Sequence, residues 1–222
     1  MSTIAEYLQE LQILTRDYRN AVQEAQLHTD DHLTPEGLQA KRAKLVQQAA
    51  ANHQGKLAKL RSNFKIEADW LESRAQRAIP KPEGSTRDSW ERVKMLLDSG
   101  QSLQTVIAKA DAGSLHAVRE WAPTYLDAMS KGANTDLRPF ERSIGQRWAE
   151  ILPEGEHVRE YLDAAGDVAQ FEHMANSLSD SFEGRAPQFG SLQDAFAAKY
   201  AAQTATADLS VIEARSHQAT NA

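Results

Sequence analysis

No proline stands between Pro35 and Pro80, and that span holds only two glycines, Gly37 and Gly55. Thr34-Pro35-Glu36 is a strong helix start: threonine accepts from an orphan amide, proline suits the first helical position, and glutamate faces the positive end of the dipole. A helix running from there to about Ala78 would be ~69 Å long at 1.5 Å per residue. Ala43, Ala50, Leu57, Phe64, Leu71 and Ala78 recur every seven residues, with Val46, His53 and Leu60 offset by three. That is a heptad seam, weakened in its first half by small residues and by His53.

Upstream, Ile4, Leu8, Leu11, Leu14, Tyr18, Val22 and Ala25 form a stripe at spacings of three and four. That spacing predicts a first amphipathic helix from Thr3 to about His28. A short polar connection, Thr29 to Leu33, should fold the two back as an antiparallel hairpin. The second helix then outruns the first by ~30 Å. The overhang, Leu60 to Ala78, carries Phe64, Ile66, Trp70 and Leu71, and is expected to pack either on the C-terminal half or on another chain. Leu57, Leu60, Phe64, Trp70 and Leu71 are the candidate partner-contact residues.

Ile79-Pro80-Lys81-Pro82-Glu83-Gly84-Ser85 is the clearest break. Shorter helices follow: Thr86 to Asp98, Ser102 to Ala110, Ser114 to Trp121 with a kinked continuation past Pro123, one starting near Thr135 or Asp136, Glu154 to about Phe182, and Ser191 to about Arg215. Neither strand alternation nor a repeat of 20–50 residues occurs. The expected fold is all-α: a helical hairpin over 1–79, coiled-coil-like in pattern, a Pro-rich hinge at 80–85, a compact helical domain over 86–182, and an alanine-rich terminal helix and tail over 183–222.

The net charge of -6 conceals a division. Residues 1–33 carry two bases against six acids, residues 34–81 ten against four, and residues 82–222 thirteen against 21. A basic helix thus lies between acidic flanks, and pairing across the hairpin is the simplest expectation for it. The competing one is phosphate contact, with Lys56, Lys59, Arg61 and Lys65 as candidates.

Zero cysteine removes thiol nucleophiles, thiolate metal sites and disulfides. No run approaches 18 apolar residues, and Met1 to Glu10 lacks a basic flank followed by an apolar stretch. A cytoplasmic protein without a membrane span is expected. Phosphate-cradling glycine loops and a G-x-S-x-G elbow are missing. Glu154 and His157 make one E-x-x-H, whereas a dimetal bundle needs two such motifs and two further glutamates. Asp30, Asp31 and His32 are consecutive and share no face. No catalytic residue, metal or cofactor is therefore expected.

Residues 102–121, SLQTVIAKADAGSLHAVREW, resemble a helix-turn-helix, with His116 and Arg119 as base-reading candidates, but the segment lacks the basic footprint of duplex binding. DNA binding through it, or through the basic helix over 34–81, is the alternative to a structural role. LTPEGLQAKRAKL at 33–45, and WERVKMLLDSG with REWAPTYLDA between 90 and 128, are similar to uncharacterised structural-region proteins of actinobacterial phages and prophages. The resemblance implies a helical, oligomerising component of virion assembly or of the particle. It carries over no active-site residue. The leading expectation is a non-enzymatic assembly protein, working through helix–helix contact with itself or a protein partner.

Overall fold

Helix starts are set by side chains that satisfy the first free amides. The computed structural model describes residues 3–129, 137–185 and 191–207. Helix α1 spans Ile4–Leu27. Thr3 Oγ1 accepts from the Glu6 amide at 3.3 Å, and Glu6 Oε2 accepts from the Thr3 amide at 2.9 Å. This reciprocal pair is a capping box. Helix α2 spans Pro35–Ala78, 44 residues, and Thr34 Oγ1 accepts from the Gly37 amide at 3.2 Å. Helices α3, Arg87–Asp98, and α4, Leu103–Lys109, come next. Between them Gly100 takes φ +92°. Its amide reaches the Leu97 carbonyl, and the Gln101 amide reaches that of Leu96. This left-handed stop is the geometry for which glycine is suited.

Helix α5 spans Ala112–Met129 and runs through Pro123, so the expected kinked continuation is part of one helix. Helices α6, Arg138–Ile151, α7, Gly155–Phe182, and α8, Leu192–Ala205, complete the set. Among the described residues the chain is all-helical. The expected start of α6 at Thr135 or Asp136 and the extension of α8 toward Arg215 lie outside the described residues.

The chain forms two compact units, and the division falls inside α2 and α7 rather than at Pro80. One unit takes residues 1–69 and 166–202, the other 70–165 and 203–222. The physical reason is that each long helix buries residues in two cores.

In the first unit α1 and α2 run antiparallel. Tyr7 meets Phe64 edge-on at 6.3 Å and Tyr18 lies against His53 at 5.5 Å. Helix α7 adds Phe171, stacked on Phe64, and Phe182, perpendicular to Tyr18 at 4.8 Å. The Tyr18 hydroxyl donates to the Ser181 carbonyl at 3.5 Å. Burial pushes the Tyr18 phenol upward, and that hydrogen bond opposes the shift in part. His53 is buried, yet its Nδ1 meets the Ala49 carbonyl at 2.7 Å, so the seam position read as weak is a satisfied core histidine. Helix α8 is anchored by Asp194, whose carboxylate accepts from Ser177 Oγ at 2.9 Å, and by buried Ala198. Of the heptad positions in this unit, His53, Leu57, Leu60 and Phe64 are buried, and Ala43 is exposed.

The second unit packs α3, α4 and α6 around α5. Leu115, Ala117, Val118 and Ala122 of α5 have no exposed surface. Trp90, Val93, Phe140, Ile144 and Trp148 surround them, joined by Ala75 from α2 and Val158 from α7.

Candidate functional site

Three of the five candidate partner-contact residues are spent inside the chain. Leu57, Leu60 and Phe64 are 3%, 8% and 5% exposed. Phe64 lies between Tyr7 and Phe171, so this part of the α2 overhang is covered by the same chain, while Ile66 stays 65% exposed. In the second unit Leu71 is half-buried, and Trp70 remains 37% exposed beneath the Arg74 guanidinium, 4.3 Å from the ring centroid. That cation–π contact is itself held, since Arg74 also pairs with Glu160 at 3.3 Å and bonds the His157 ring at 2.6 Å. The histidine of the lone E-x-x-H is thus a structural partner of an arginine. Among the described residues no three His, Asp or Glu side chains converge as a metal-binding group.

The first unit exposes Ile13, Leu27 and Ile66 singly, and on α8 it exposes two aromatic side chains together. Phe196 and Tyr200, one turn apart, are 68% and 67% exposed. Gln193 and Ala197 are exposed on the same sector of the helix. This pair was within reach of the sequence, because aromatics at i and i+4 in an alanine-rich helix share one face.

The candidate phosphate contacts separate into two kinds. Arg61 Nη2 donates to Asn176 Oδ1 at 2.8 Å, and Lys65 pairs with Asp69 at 3.1 Å. Lys56 and Lys59 are exposed, as are Lys41 and Lys44. Arg42 donates to the His28 carbonyl at 2.9 Å. Among the described residues no ion pair joins α1 to α2; Asp17 pairs with its neighbour Arg16, and Glu6 serves the capping box. The neutralisation expected across the hairpin is not made by direct contact.

Residues 102–121 form α4 and the first half of α5. Ser102 Oγ accepts from the Thr105 amide at 3.1 Å, and Asp111 Oδ1 accepts from the Ser114 amide at 2.8 Å. Hydrogen bonds from the Ser114 amide, and then from its hydroxyl, hold the Asp111 carboxyl below its ordinary value. Gly113 lies within α5, so it does not make the turn. His116 faces inward, its ring 5.0 Å from that of Trp148. Burial holds its pKa below the ordinary value, against an opposing hydrogen bond to the Pro80 backbone. Arg119 pairs with Glu141 at 3.6 Å, and Glu120 accepts from Thr86 Oγ1 at 2.5 Å. The two base-reading candidates are thereby a half-buried histidine against Trp148 and a paired arginine.

A cleft of 550 Å³ lies in the second unit, between α6, α7 and the end of α2. Ile144, Trp148, Val158 and Leu162 give it apolar walls, and Glu72, Arg119, Glu141 and Arg142 stand around it. Gly145 lets α6 and α7 approach: a Cβ there would lie 3.0 Å from Leu162 Cδ2. Arg142 Nη1 donates to the Leu162 carbonyl at 2.8 Å, which fixes the same approach. Burial raises the Tyr161 phenol, and the charges of Glu72 and Glu141 add to it. Trp148 Nε1 and His116 Nε2 are buried without a hydrogen-bond partner. The arrangement can bury an apolar body.

No helix of the described residues is long and apolar enough to cross a membrane. Compared with protein-family models, with curated proteins and with solved structures, the chain matches none.

Proposed function

We propose that this chain is a non-enzymatic assembly protein that acts through helix–helix contact, with a second copy of itself as the first partner. The observation that carries the reading is the exposed aromatic pair Phe196 and Tyr200, set one turn apart on α8. Aromatic side chains give large contact area for little conformational entropy, and a cluster at helical spacing is what a helix-in-groove or helix-on-helix partner reads. The five residues first singled out contribute to this role mainly by building the platform. Leu57, Leu60 and Phe64 fix α2 against its neighbours, and Trp70 with Leu71 adds a smaller exposed edge. The resemblance of residues 33–45 and 90–128 to phage structural-region proteins supports a virion or its morphogenesis as the setting.

Sedimentation equilibrium across a wide concentration range tests this. Self-association that rises with concentration, and that Phe196→Ser with Tyr200→Ser abolishes at unchanged helix content, is the expected result. A wild-type monomer at every concentration would remove the claim of self-assembly.

A further inference from the structure

The span 37–66 of α2 contains no aspartate or glutamate and seven lysines and arginines. Three of these seven are engaged: Arg42 on the His28 carbonyl, Arg61 on Asn176 and Lys65 on Asp69. The remaining four, Lys41, Lys44, Lys56 and Lys59, are exposed. At 100° per residue they fall within about 120° of the helix circumference, a sector beside the buried stripe of Ala49, Leu57, Leu60 and Phe64 and centred about 120° from it. Gln48, Asn52 and Asn63 are exposed in the same sector. The face is therefore cationic at two places, with Gln48 and Asn52 between them and Asn63 and Ile66 beyond. The centres of the two lysine pairs stand ~22 Å apart along the axis at 1.5 Å per residue.

Gly55 lies between the pairs in the same sector. A Cβ at Gly55 would meet nothing within 4 Å, so packing does not require glycine there. Glycine weakens a helix interior, and one on an open face allows a close approach of the backbone to something outside.

We propose that this face of α2 binds the phosphate backbones of duplex DNA, lying in the major groove with a lysine pair on each flanking strand and Gly55 against the groove wall. A helix of about 10–12 Å diameter matches a B-form major groove about 12 Å wide, whereas the A-form major groove is too narrow to admit it. An anionic membrane fits less well. An interfacial helix buries an apolar face in the lipid, whereas the stripe Ala49, Leu57, Leu60 and Phe64 is already covered and the lysine sector offers Ile66 as its exposed large apolar side chain. The site is separate from the α8 contact, so either stands if the other fails.

The test is a titration of the full chain with a fluorescent mixed-sequence DNA duplex at graded salt. Four phosphate contacts give a slope of log K against log salt of about -3.6, and so roughly a 150-fold loss between ~50 and ~200 mM salt. Lys41→Ala with Lys44→Ala, and Lys56→Ala with Lys59→Ala, should each bring the slope to about -1.8. Gly55→Gln should raise the melting temperature yet weaken binding at least tenfold, with little change of slope. A merely solvated lysine face would not couple those two readouts in opposite directions. Circular dichroism confirms that each variant folds. No binding to duplex at the lowest salt overturns the proposal. So does a slope unmoved by either lysine pair, unweakened binding by Gly55→Gln, or equal binding to an RNA duplex or to phosphatidylserine vesicles.

Discussion

The ring of Phe64 on α2 stacks on that of Phe171 on α7, with centroids 3.7 Å apart and planes 8° from parallel. Both side chains are almost fully buried, at 5% and 1% exposure, and Tyr7 closes the other edge of Phe64. Phe64→Ala should cost about 3–5 kcal/mol, the usual loss for a large aromatic in a core. Urea unfolding followed by circular dichroism measures it. Phe64→Asp should prevent folding of the unit, because a carboxylate there would be buried without a partner. A well-folded Phe64→Asp variant with altered self-association would instead return Phe64 to the role of a partner contact.

Three glycines sort by what surrounds them. Gly55→Ala should stabilise the chain by about 1 kcal/mol, since the site is open and only helix propensity changes. Gly145→Ala should lie at least ~1 kcal/mol below it, because Leu162, confined at 8% exposure, must give way. Gly155→Ala should be the worst of the three, since its Cβ would collide with the Ala149 carbonyl and backbone must move. Thermal melts of the three variants check the order, and a different ranking would contradict the packing of α6 on α7.

His116 should make the second unit acid-sensitive. Burial beside Trp148 lowers its folded pKa below the ordinary value of 6.5, so the unfolded chain takes up a proton first as pH falls. Stability attributable to His116 is therefore constant above pH ~6.5 and declines below it, toward and through the depressed folded value. Melting temperatures of wild type and His116→Gln between pH ~7.5 and ~5 should converge or cross as acid is added, with the steeper fall in wild type. Parallel curves would show that the imidazole does not titrate in this window.

Asp111 has its pKa lowered too, but by hydrogen bonds to its charged form rather than by burial. Its carboxylate caps α5 by accepting from the Ser114 amide, and its folded pKa lies below 3.8. Asp111→Ala should cost about 1 kcal/mol at neutral pH. The difference should shrink only once pH falls below ~3.9 and through the depressed folded value, where the cap is protonated in both states. A cost that fades near pH 6 would assign the effect to another group.

Some of this architecture follows directly from residue spacing, and some does not. The stripe Ile4, Leu8, Leu11 and Leu14 and the Thr34-Pro35 start appear as helices within a residue of where the pattern places them. The break at Pro80 ends α2, yet it does not separate the two units, because Phe64 and Ala75 of the same helix belong to different cores. Sequence periodicity reports which residues face inward, but not which distant helix supplies the cover. Phe171 lies over a hundred positions from Phe64, so spacing alone does not show that this part of the overhang is covered. The charge pattern had the same limit: like and unlike charges can be counted from residues, whereas Arg61 choosing Asn176 over an α1 carboxylate depends on which face of α2 meets α7. Conversely, the i, i+4 spacing of Phe196 and Tyr200 places them on one face, whereas the alanine-rich background does not say whether that face is buried or exposed.

Since the chain has no cysteine, a single one can be placed without background. Gln193→Cys stands on the exposed sector of α8 with Phe196 and Tyr200, and Gln101→Cys, in the connection from α3 to α4, serves as the control. With a short bismaleimide, Gln193→Cys should give a covalent dimer whose yield falls when Phe196 and Tyr200 are both serine, while Gln101→Cys stays monomeric. Equal crosslinking at the two positions, or none at Gln193 in a concentrated solution of folded protein, would contradict assembly through α8.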